Sequence, residues 1–516
     1  MRIETQVVVI GGGLTGAGIL RDLALRGVDA VLLERRDFNA GASGANHGLL
    51  HSGGRYLVTD PDSAAECVRE NAVLKRVAAG CVEDTGGLFV ALDEDDESYA
   101  ADFLAAAERV GLAAAPIATS EALEVEPLLN PAIRAAIRVP DAAINPFMAT
   151  ARNLQAARAL GARVLLHTQV IGMQREGGRI VRVDAIHNPS GDAVEVHADQ
   201  VVSAAGPWVD QVGALAGADL DIAYSKGSLL ITNTRLVDRV LNRLRPPADG
   251  DIVVPGETVT ITGTTSIRIQ NLDHLTTPAA EVDRLVTEAA KLVPRMADVR
   301  YVRAYAGVRP LVQSAGAGED RGLSRTFTIF DHRCDGLDNF ASIAGGKLTT
   351  YRLMAEKLTD LVCARLGVGA PCRTAALPLP GSEAGRHLDA AARLARLRAP
   401  PPGGAVLCEC EMVGRDEVTA IVDALEEAGH EVGPNAIRLR SRLGMGACQG
   451  GFCSMRAIGL LYELGQIKGA QGNDMLTDFL ERRWSGIKPM LWGDQLRQEQ
   501  FLEAIYCGSL NIDGNL

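Results

Sequence analysis

Three groups of residues in this 516-residue chain have types and spacings that do chemistry. The first is Gly11, Gly13 and Gly16 in VVVIGGGLTGAG, with Glu34 standing 18 residues past the last glycine. A glycine at the first position permits a tight turn, one at the second lets backbone approach a pyrophosphate, and one at the third lets a helix pack closely on a strand. The N–H groups of that helix's first turn then face the anion, and a carboxylate at Glu34 takes ribose hydroxyls. The second group is Cys408 and Cys410 (C-x-C) with Cys448 and Cys453 (C-x4-C), the two pairs separated by 37 residues. Four thiolates in one small module hold a tetrahedral zinc ion or a [2Fe–2S] cluster. The tight C-x-C and the nearby Gly444, Gly446, Gly450 and Gly451, which free backbone N–H groups to bond sulfur, favour iron and sulfur. The third group is cationic: Arg55, Arg309 in GVRPL, and Lys347 in AGGKL, residue types that bind phosphate or carboxylate oxygens.

The elements needed to position these groups can be read from the pattern. Val7 to Ile10 form an apolar strand, helical periodicity follows Gly16 and stops at Gly27, and Ala30 to Leu33 form a second strand ending at Glu34. This is a dinucleotide-binding unit. Its N-terminal position suits FAD held as part of the fold, although the segment alone also admits NAD. Residues 39–58 are too rich in Gly, Ser, Asn and His, and too long, for a simple turn. Ser43, Gly44 and Ala45 allow backbone to pass close to a flat cofactor, and His51, Arg55 and Tyr56 supply polar groups beyond it. Residues 62–127 read as helices, with DEDDE at 93–97 as a solvated acidic turn. After Asn145 come a helix, a strand, two hairpins and the strand Gln200 to Ala204, which ends at Gly206 as if returning to the cofactor. Residues 220–330 alternate as a largely antiparallel sheet with one helix, Ala279 to Leu292. A further strand, glycine turn and helix start at Gly346 or Lys347 would present the helix's positive end. Proline and glycine then mark a linker, followed by a module of about 60 residues from Val406 and a tail carrying Trp484 and Trp492.

Composition sets the outer limits. Length implies about three domains. A net charge of −12 argues against a nucleic-acid partner, so an anionic substrate needs a local positive pocket. Met1 to Thr5 has no leader character and no run of about 18 apolar residues follows, which predicts a cytoplasmic protein or one held peripherally through a partner. The other six cysteines read as small buried hydrophobes, and disulfides are not expected.

Several of these segments together resemble one family. GGGLTGAGILRDLALRG, GASGANHGLLHSGGRYLVTD, AINPF, KGSLLI, ITGTTS, AYAGVRPL and IAGGKLTTYRLMAEKLTD are similar to the FAD-dependent glycerol-3-phosphate dehydrogenases. CEC with GMGACQGGFC resembles the bacterioferritin-associated ferredoxin-like [2Fe–2S] domain, and with the tail FLERRWSGIKPMLWGDQLR the order resembles the A subunits of the anaerobic branch.

The resemblance implies an α/β fold with a Rossmann-like, D-amino-acid-oxidase-like FAD domain (about 1–90, 145–218 and 335–367). It adds a β-rich substrate domain (about 91–144 and 219–334), a linker (368–405), a [2Fe–2S] domain (406–474) and a tail (475–516). It implies oxidation of sn-glycerol 3-phosphate to dihydroxyacetone phosphate by hydride transfer to FAD. Electrons then pass through the cluster and partner subunits B and C to a membrane quinone, with the chain peripheral on the inner face of the cell membrane. Cofactor contacts are expected at Gly11, Gly13, Gly16, Glu34, Ser43, Gly44, Ala45 and His51, and at Val170, Gly206, Gly345, Gly346, Lys347 and Leu348. Arg55, Arg309 and Lys347 are the expected catalytic cations, and Tyr56, Thr264, Thr265 and Arg268 join Arg55 and Arg309 as substrate contacts. Leu229 stands where aerobic relatives have histidine, so the general base does not carry over. Two other readings stay open: a related FAD-dependent 2-hydroxyacid dehydrogenase acting on a 2-hydroxyglutarate-type substrate, and a cysteine module that only docks a partner.

Overall fold

The computed structural model describes residues 1–96, 98–273, 275–312, 326–389, 392, 405–510 and 512. Its first sheet runs in the order Thr168–Glu176, Arg179–His187, Asp192–Ser203, Arg2–Ile10, Ala30–Leu33, Arg163–Leu165, with Phe340–Gly345 also paired to Asp192–Ser203 and Phe327–Asp331 outside it. Arg2–Ile10 is parallel to both neighbours, with Ile10 beside Leu33 on one side and Ser203 on the other; Ser203 in turn lies beside Ser342. That register decides where the site is. Gly11, Glu34 and Ala204 all leave the sheet at one edge, level with Ile343 of the strand Phe340–Gly345, at the carboxyl ends of parallel strands where such sheets bind ligands.

The central strand is buried on both faces, which is why it reads as an unbroken apolar run. Val7 and Val9 pack with Ile19, Leu20, Leu23, Leu154 and Leu358 from the helices Leu14–Leu25, Pro146–Arg158 and Tyr351–Leu366. Val8 and Ile10 pack on the opposite face with Val183, Val196 and Phe340.

The second sheet has nine strands, mostly antiparallel: Ile267–Ile269, Ile222–Thr232, Val259–Gly263, Ile252–Gly256, Val240–Arg243, Gly87–Ala91, Ala135–Val139, Ala115–Ile117, with Tyr301–Val312 also on Ile222–Thr232. The helix Ala279–Leu292 packs inward through Val282, Leu285, Ala289 and Leu292. Two boundaries move from those read in the sequence. Gly87–Ala91, placed in the FAD domain up to its last residue, pairs within the second sheet, and Phe327–Asp331, placed in the substrate domain, pairs within the first. A strand's sequence does not say which sheet will take it.

Two surface readings also change. In the acidic run 93–97, Asp95 accepts from Arg243 Nε at 3.0 Å and Nη2 at 2.6 Å, and both side chains are 1% exposed. The run therefore contains a buried ion pair whose partner is far away in sequence; Glu97 lies outside the described residues. The expected linker is laid against the first part of the chain as far as it is described. Leu379 is fully buried and its N–H donates to Val77 O at 2.7 Å, while Arg21 Nη2 donates to Leu377 O at 2.8 Å. Residues 390–391 and 393–404 of that segment lie outside the described residues.

The C-terminal module is helical, with a two-stranded ladder of Val406–Cys408 and Val413–Gly414. Its core joins Val418, Val422, Ile437 and Leu461 to Phe479, Leu480, Leu502 and Tyr506, so the tail closes the module's own core. The helix Gln471–Ile487 runs across the expected boundary at 474/475. The module packs on the rest through Arg440, whose guanidinium bonds Asp37 at 2.8 and 3.0 Å and lies 4.6 Å from the Phe38 ring centroid.

Candidate active site

A cavity of about 690 Å³ runs from the carboxyl edge of the first sheet onto the second. At the first end stand Gly11, Gly13, Glu34, Arg35, Gly206 and Trp208. Gly11 has φ +116°, and a Cβ there would meet Ala204 O at 2.5 Å, so only glycine makes this turn against the neighbouring strand. Glu34 Oε2 accepts from Gly12 N–H at 2.7 Å and Oε1 from Arg36 N–H at 2.9 Å. Burial raises the Glu34 carboxyl above its usual range while these two amides pull it back. Each oxygen keeps a second lone pair for a donor in the cavity. Gly12, not singled out in the sequence, is the position that admits Glu34 against the turn. Arg35 lies 4.0 Å over the Trp208 ring at the same end.

Ser43 and Ala45 line the middle, where Ser43 Oγ accepts from Leu14 N–H at 3.0 Å and so ties the 39–58 segment to the helix start. His51, Val170, Gly345, Gly346, Lys347 and Leu348 also line the cavity. Gly16 and Gly44 do not: they press against the backbone oxygens of Gly11 and Asn39, behind the wall. The helix expected at Gly346 or Lys347 begins as a 3-10 turn at Leu348, with Lys347 N–H donating to Thr350 Oγ1 at 3.1 Å.

At the far end the cavity meets Arg55, Tyr56, Thr264, Arg309 and Lys347. Arg55 donates to Asp251 Oδ2 at 3.2 Å and Ala248 O at 3.1 Å; Asp251 is fully buried and also holds Arg245. Arg309 donates to Thr264 Oγ1 and to Thr265 O, the latter at 3.3 Å, and its guanidinium lies across Gly227, where a Cβ would come within 2.6 Å of Nη2. Lys347 Nζ donates to Ser63 Oγ at 3.0 Å and sits 5.2 Å from the Tyr56 ring centroid.

Two expected substrate contacts are not at the cavity. Thr265 is fully buried with its hydroxyl turned to Glu281, and Arg268 is exposed on the short strand Ile267–Ile269. Neighbouring side chains in extended chain face opposite ways, so Thr265 turns to Glu281 while Thr264 lines the cavity, and Arg268 lies further on, where the chain has rejoined the sheet beside Ser225.

His47 was not anticipated. It lines the cavity, and burial together with Arg309 and Arg55 lowers its pKa to about 3. Its Nδ1 accepts from Leu49 N–H at 3.1 Å, which leaves the ring proton on Nε2. Burial likewise holds His51 well below the ordinary imidazole range, helped by His47, Arg55 and Lys347. The histidine-rich NHGLLH was the available signal. Leu229 lines the wall as an inert apolar group.

The four clustered cysteines come near one another in the module, where Cys408 is influenced most by Cys453 and Cys448 most by Cys410. Those neighbours, against burial and helped by the N–H groups of Gly444 and Glu411 on one sulfur and of Gly450, Gly451 and Phe452 on the other, lower the pKa of Cys408 and of Cys448. Among the described residues, no group of three or more His, Cys, Asp or Glu is placed to hold a metal ion.

Residues 6–361 match the family model described as FAD dependent oxidoreductase. The chain is 44% identical to the A subunit of the anaerobic glycerol-3-phosphate dehydrogenase of Escherichia coli K12, over 99% of this chain and 97% of that relative. It belongs to the FAD-dependent oxidoreductases, in the family of anaerobic glycerol-3-phosphate dehydrogenase A subunits. The A1 subunit of the Haloferax volcanii enzyme is a further relative, 41% identical over 99% of this chain and 92% of its own. The fold of this oxidoreductase is shared with the glycerol-3-phosphate dehydrogenase of Bacillus halodurans, solved in complex with FAD (TM-score 0.65, 20% identity, covering 95% and 96% of the two chains). The chain's own residues fit that cofactor: a glycine turn closed to any larger side chain, a carboxylate with spare acceptor capacity, and a cavity continuous from Glu34 to Arg309. Among the described residues no helix is long and apolar enough to cross a membrane.

Proposed function

We propose that this chain oxidises sn-glycerol 3-phosphate to dihydroxyacetone phosphate. The observation that carries the reading is that Arg55, Arg309 and Lys347 line the same cavity as Gly11 and Glu34, Arg55 and Arg309 both acting on His47 and Arg55 and Lys347 both acting on His51, in a chain whose net charge is −12. Bound FAD supplies the hydride acceptor for C2 of the substrate. Arg309 binds the phosphate through paired N–H groups, and Arg55, held by Asp251, adds a second cation with little freedom to move away. Lys347, at a helix start, stabilises negative charge on the reacting oxygen.

The hydroxyl proton needs a base. Leu229 offers none, and His47 uses its free lone pair on Leu49 N–H. His51 is the remaining neutral ring on the wall, and its ring takes no hydrogen bond among the described residues. A phosphate dianion beside Arg55 and Arg309 offsets the cations that lower its basicity, so substrate binding readies it.

Cys408, Cys410, Cys448 and Cys453 are proposed to hold a [2Fe–2S] cluster, which supplies one-electron transfer away from the site. The C-x-C and C-x4-C spacings, with backbone amides of Gly444, Gly450 and Gly451 beside the sulfurs of Cys408 and Cys448, support the cluster over zinc. Onward transfer through partner subunits to a membrane quinone completes the proposal, and it accords with relatives named as lettered subunits. The test is an anaerobic titration of the flavin absorbance with glycerol 3-phosphate beside 2-hydroxyglutarate. Bleaching by the phosphate alone is expected; bleaching by the hydroxyacid alone would turn Arg55 and Arg309 into carboxylate ligands.

A further inference from the structure

Two of the segments that carry the family resemblance, KGSLLI and ITGTTS, keep most of their polar side chains away from the cavity. Lys226, Ser228 and Thr265 are buried and line none of it. They meet at Glu281, in the first turn of the helix Ala279–Leu292. Glu281 Oε1 accepts from Lys226 Nζ at 2.5 Å, and Oε2 accepts from Ser228 Oγ and Thr265 Oγ1, both at 2.7 Å. Lys226 Nζ also donates to Thr276 O at 2.8 Å, and Thr265 Oγ1 accepts from Ser228 N–H at 3.0 Å.

A carboxylate that is 7% exposed is costly to bury unless its oxygens are filled, and here both are. Filling them leaves the Thr265 hydroxyl one orientation: it donates to Glu281 and accepts from Ser228. The consequence reaches the cavity through the backbone. Thr265 O and Thr264 Oγ1 accept the two ends of the Arg309 guanidinium, and the floor beneath that guanidinium is Gly227, between Lys226 and Ser228. Every one of these supports is therefore a residue clamped by Glu281 or the chain neighbour of one.

We propose that Glu281 is a positioning residue of the active site, which through Lys226, Ser228 and Thr265 sets the plane of Arg309 and with it the affinity for an anionic ligand. The proposal rests on the reading of Arg309 as the anion ligand. Its test compares the FAD-loaded wild type with Glu281→Gln, Thr265→Val and Thr265→Ser. Two quantities are measured: KM for glycerol 3-phosphate, and the dissociation constant of inorganic phosphate followed by the flavin spectrum. In Glu281→Gln and Thr265→Val both constants are expected to rise together by roughly tenfold or more, about the loss of one charge-assisted hydrogen bond, with kcat falling less than KM rises. Thr265→Ser, which keeps the hydroxyl, is expected to restore both. A lower melting temperature or FAD content with both constants unchanged, in whichever of the two variants folds, overturns the proposal and leaves the network purely structural. If glycerol 3-phosphate fails to reduce the wild type, the substrate reading falls, and the phosphate constants alone decide the role of Glu281. Wild type that binds no phosphate overturns both.

Discussion

Thr258 donates its hydroxyl proton to Glu411 at 2.6 Å, and Glu411 is the residue after Cys410. Thr258 sits at the turn between the strands Ile252–Gly256 and Val259–Gly263, so a hairpin of the second sheet reaches the cysteine loop directly. Arg442 completes the contact, with Nε 2.8 Å from Glu411 and 3.2 Å from Glu257. Glu411 is fully buried, which makes this polar joint expensive to leave half made. The module's position relative to the cavity thus depends on a few named pairs.

Thr258→Val removes one donor to a buried carboxylate, a loss of about 1–3 kcal/mol. Hydrogen exchange around residues 408–411 is expected to speed up, while reduction of the flavin by substrate keeps its rate. Exchange unchanged within error would show that Arg442 alone holds the joint.

Gly227→Ala puts a methyl group where the Arg309 guanidinium now lies. Arg309 must swing away, so KM for the phosphate substrate is expected to rise roughly 10- to 100-fold, matching about 1.5–3 kcal/mol for a charged hydrogen bond. FAD content should hold, because Gly227 is remote from the Gly11 and Glu34 end. Steady-state kinetics beside flavin absorbance checks both halves.

Cys448→Ser replaces a sulfur that accepts three backbone N–H groups. Iron and acid-labile sulfide are expected to fall to near zero per chain with flavin retained and still reducible by substrate. Zinc in the wild type instead of iron would return the module to the docking reading.

His430 accepts a hydrogen bond from Arg158 at the joint between the module and the first part of the chain. Burial first, then Arg158 and Arg440, lower its pKa to about 4, against about 6.5 in the unfolded chain. The neutral ring's contribution is therefore fully present above about pH 6.5 and is lost as pH falls toward 4. Its loss is expected to cost on the order of 1–2 kcal/mol, the ring being only partly buried. Calorimetry should show a steeper drop in stability from pH 7 to 5 for wild type than for His430→Gln.

The sequence by itself determined the parts of the site made by backbone. A strand, a glycine turn and a helix are local events, so Gly11, Gly13, Glu34 and the 39–58 segment were legible, as were the cysteine spacings and the arginines inside matched motifs. Tertiary structure decided which side chains face the cavity and what stands behind them. Thr265 sits in the same motif as Thr264 and Arg268 two residues past its end, yet one turns to a buried carboxylate and the other to solvent. Glu281 carries no local signal at all, being one acidic residue in the first turn of an amphipathic helix; its role comes from three hydroxyl and amine groups brought to it by a sheet formed elsewhere in the chain. Asp95 and Arg243 make the same point, as a run of acids that reads as solvent-facing until the fold delivers its partner. Hydrogen bonds between distant side chains depend on sheet register and helix placement, and no local window of residues contains those.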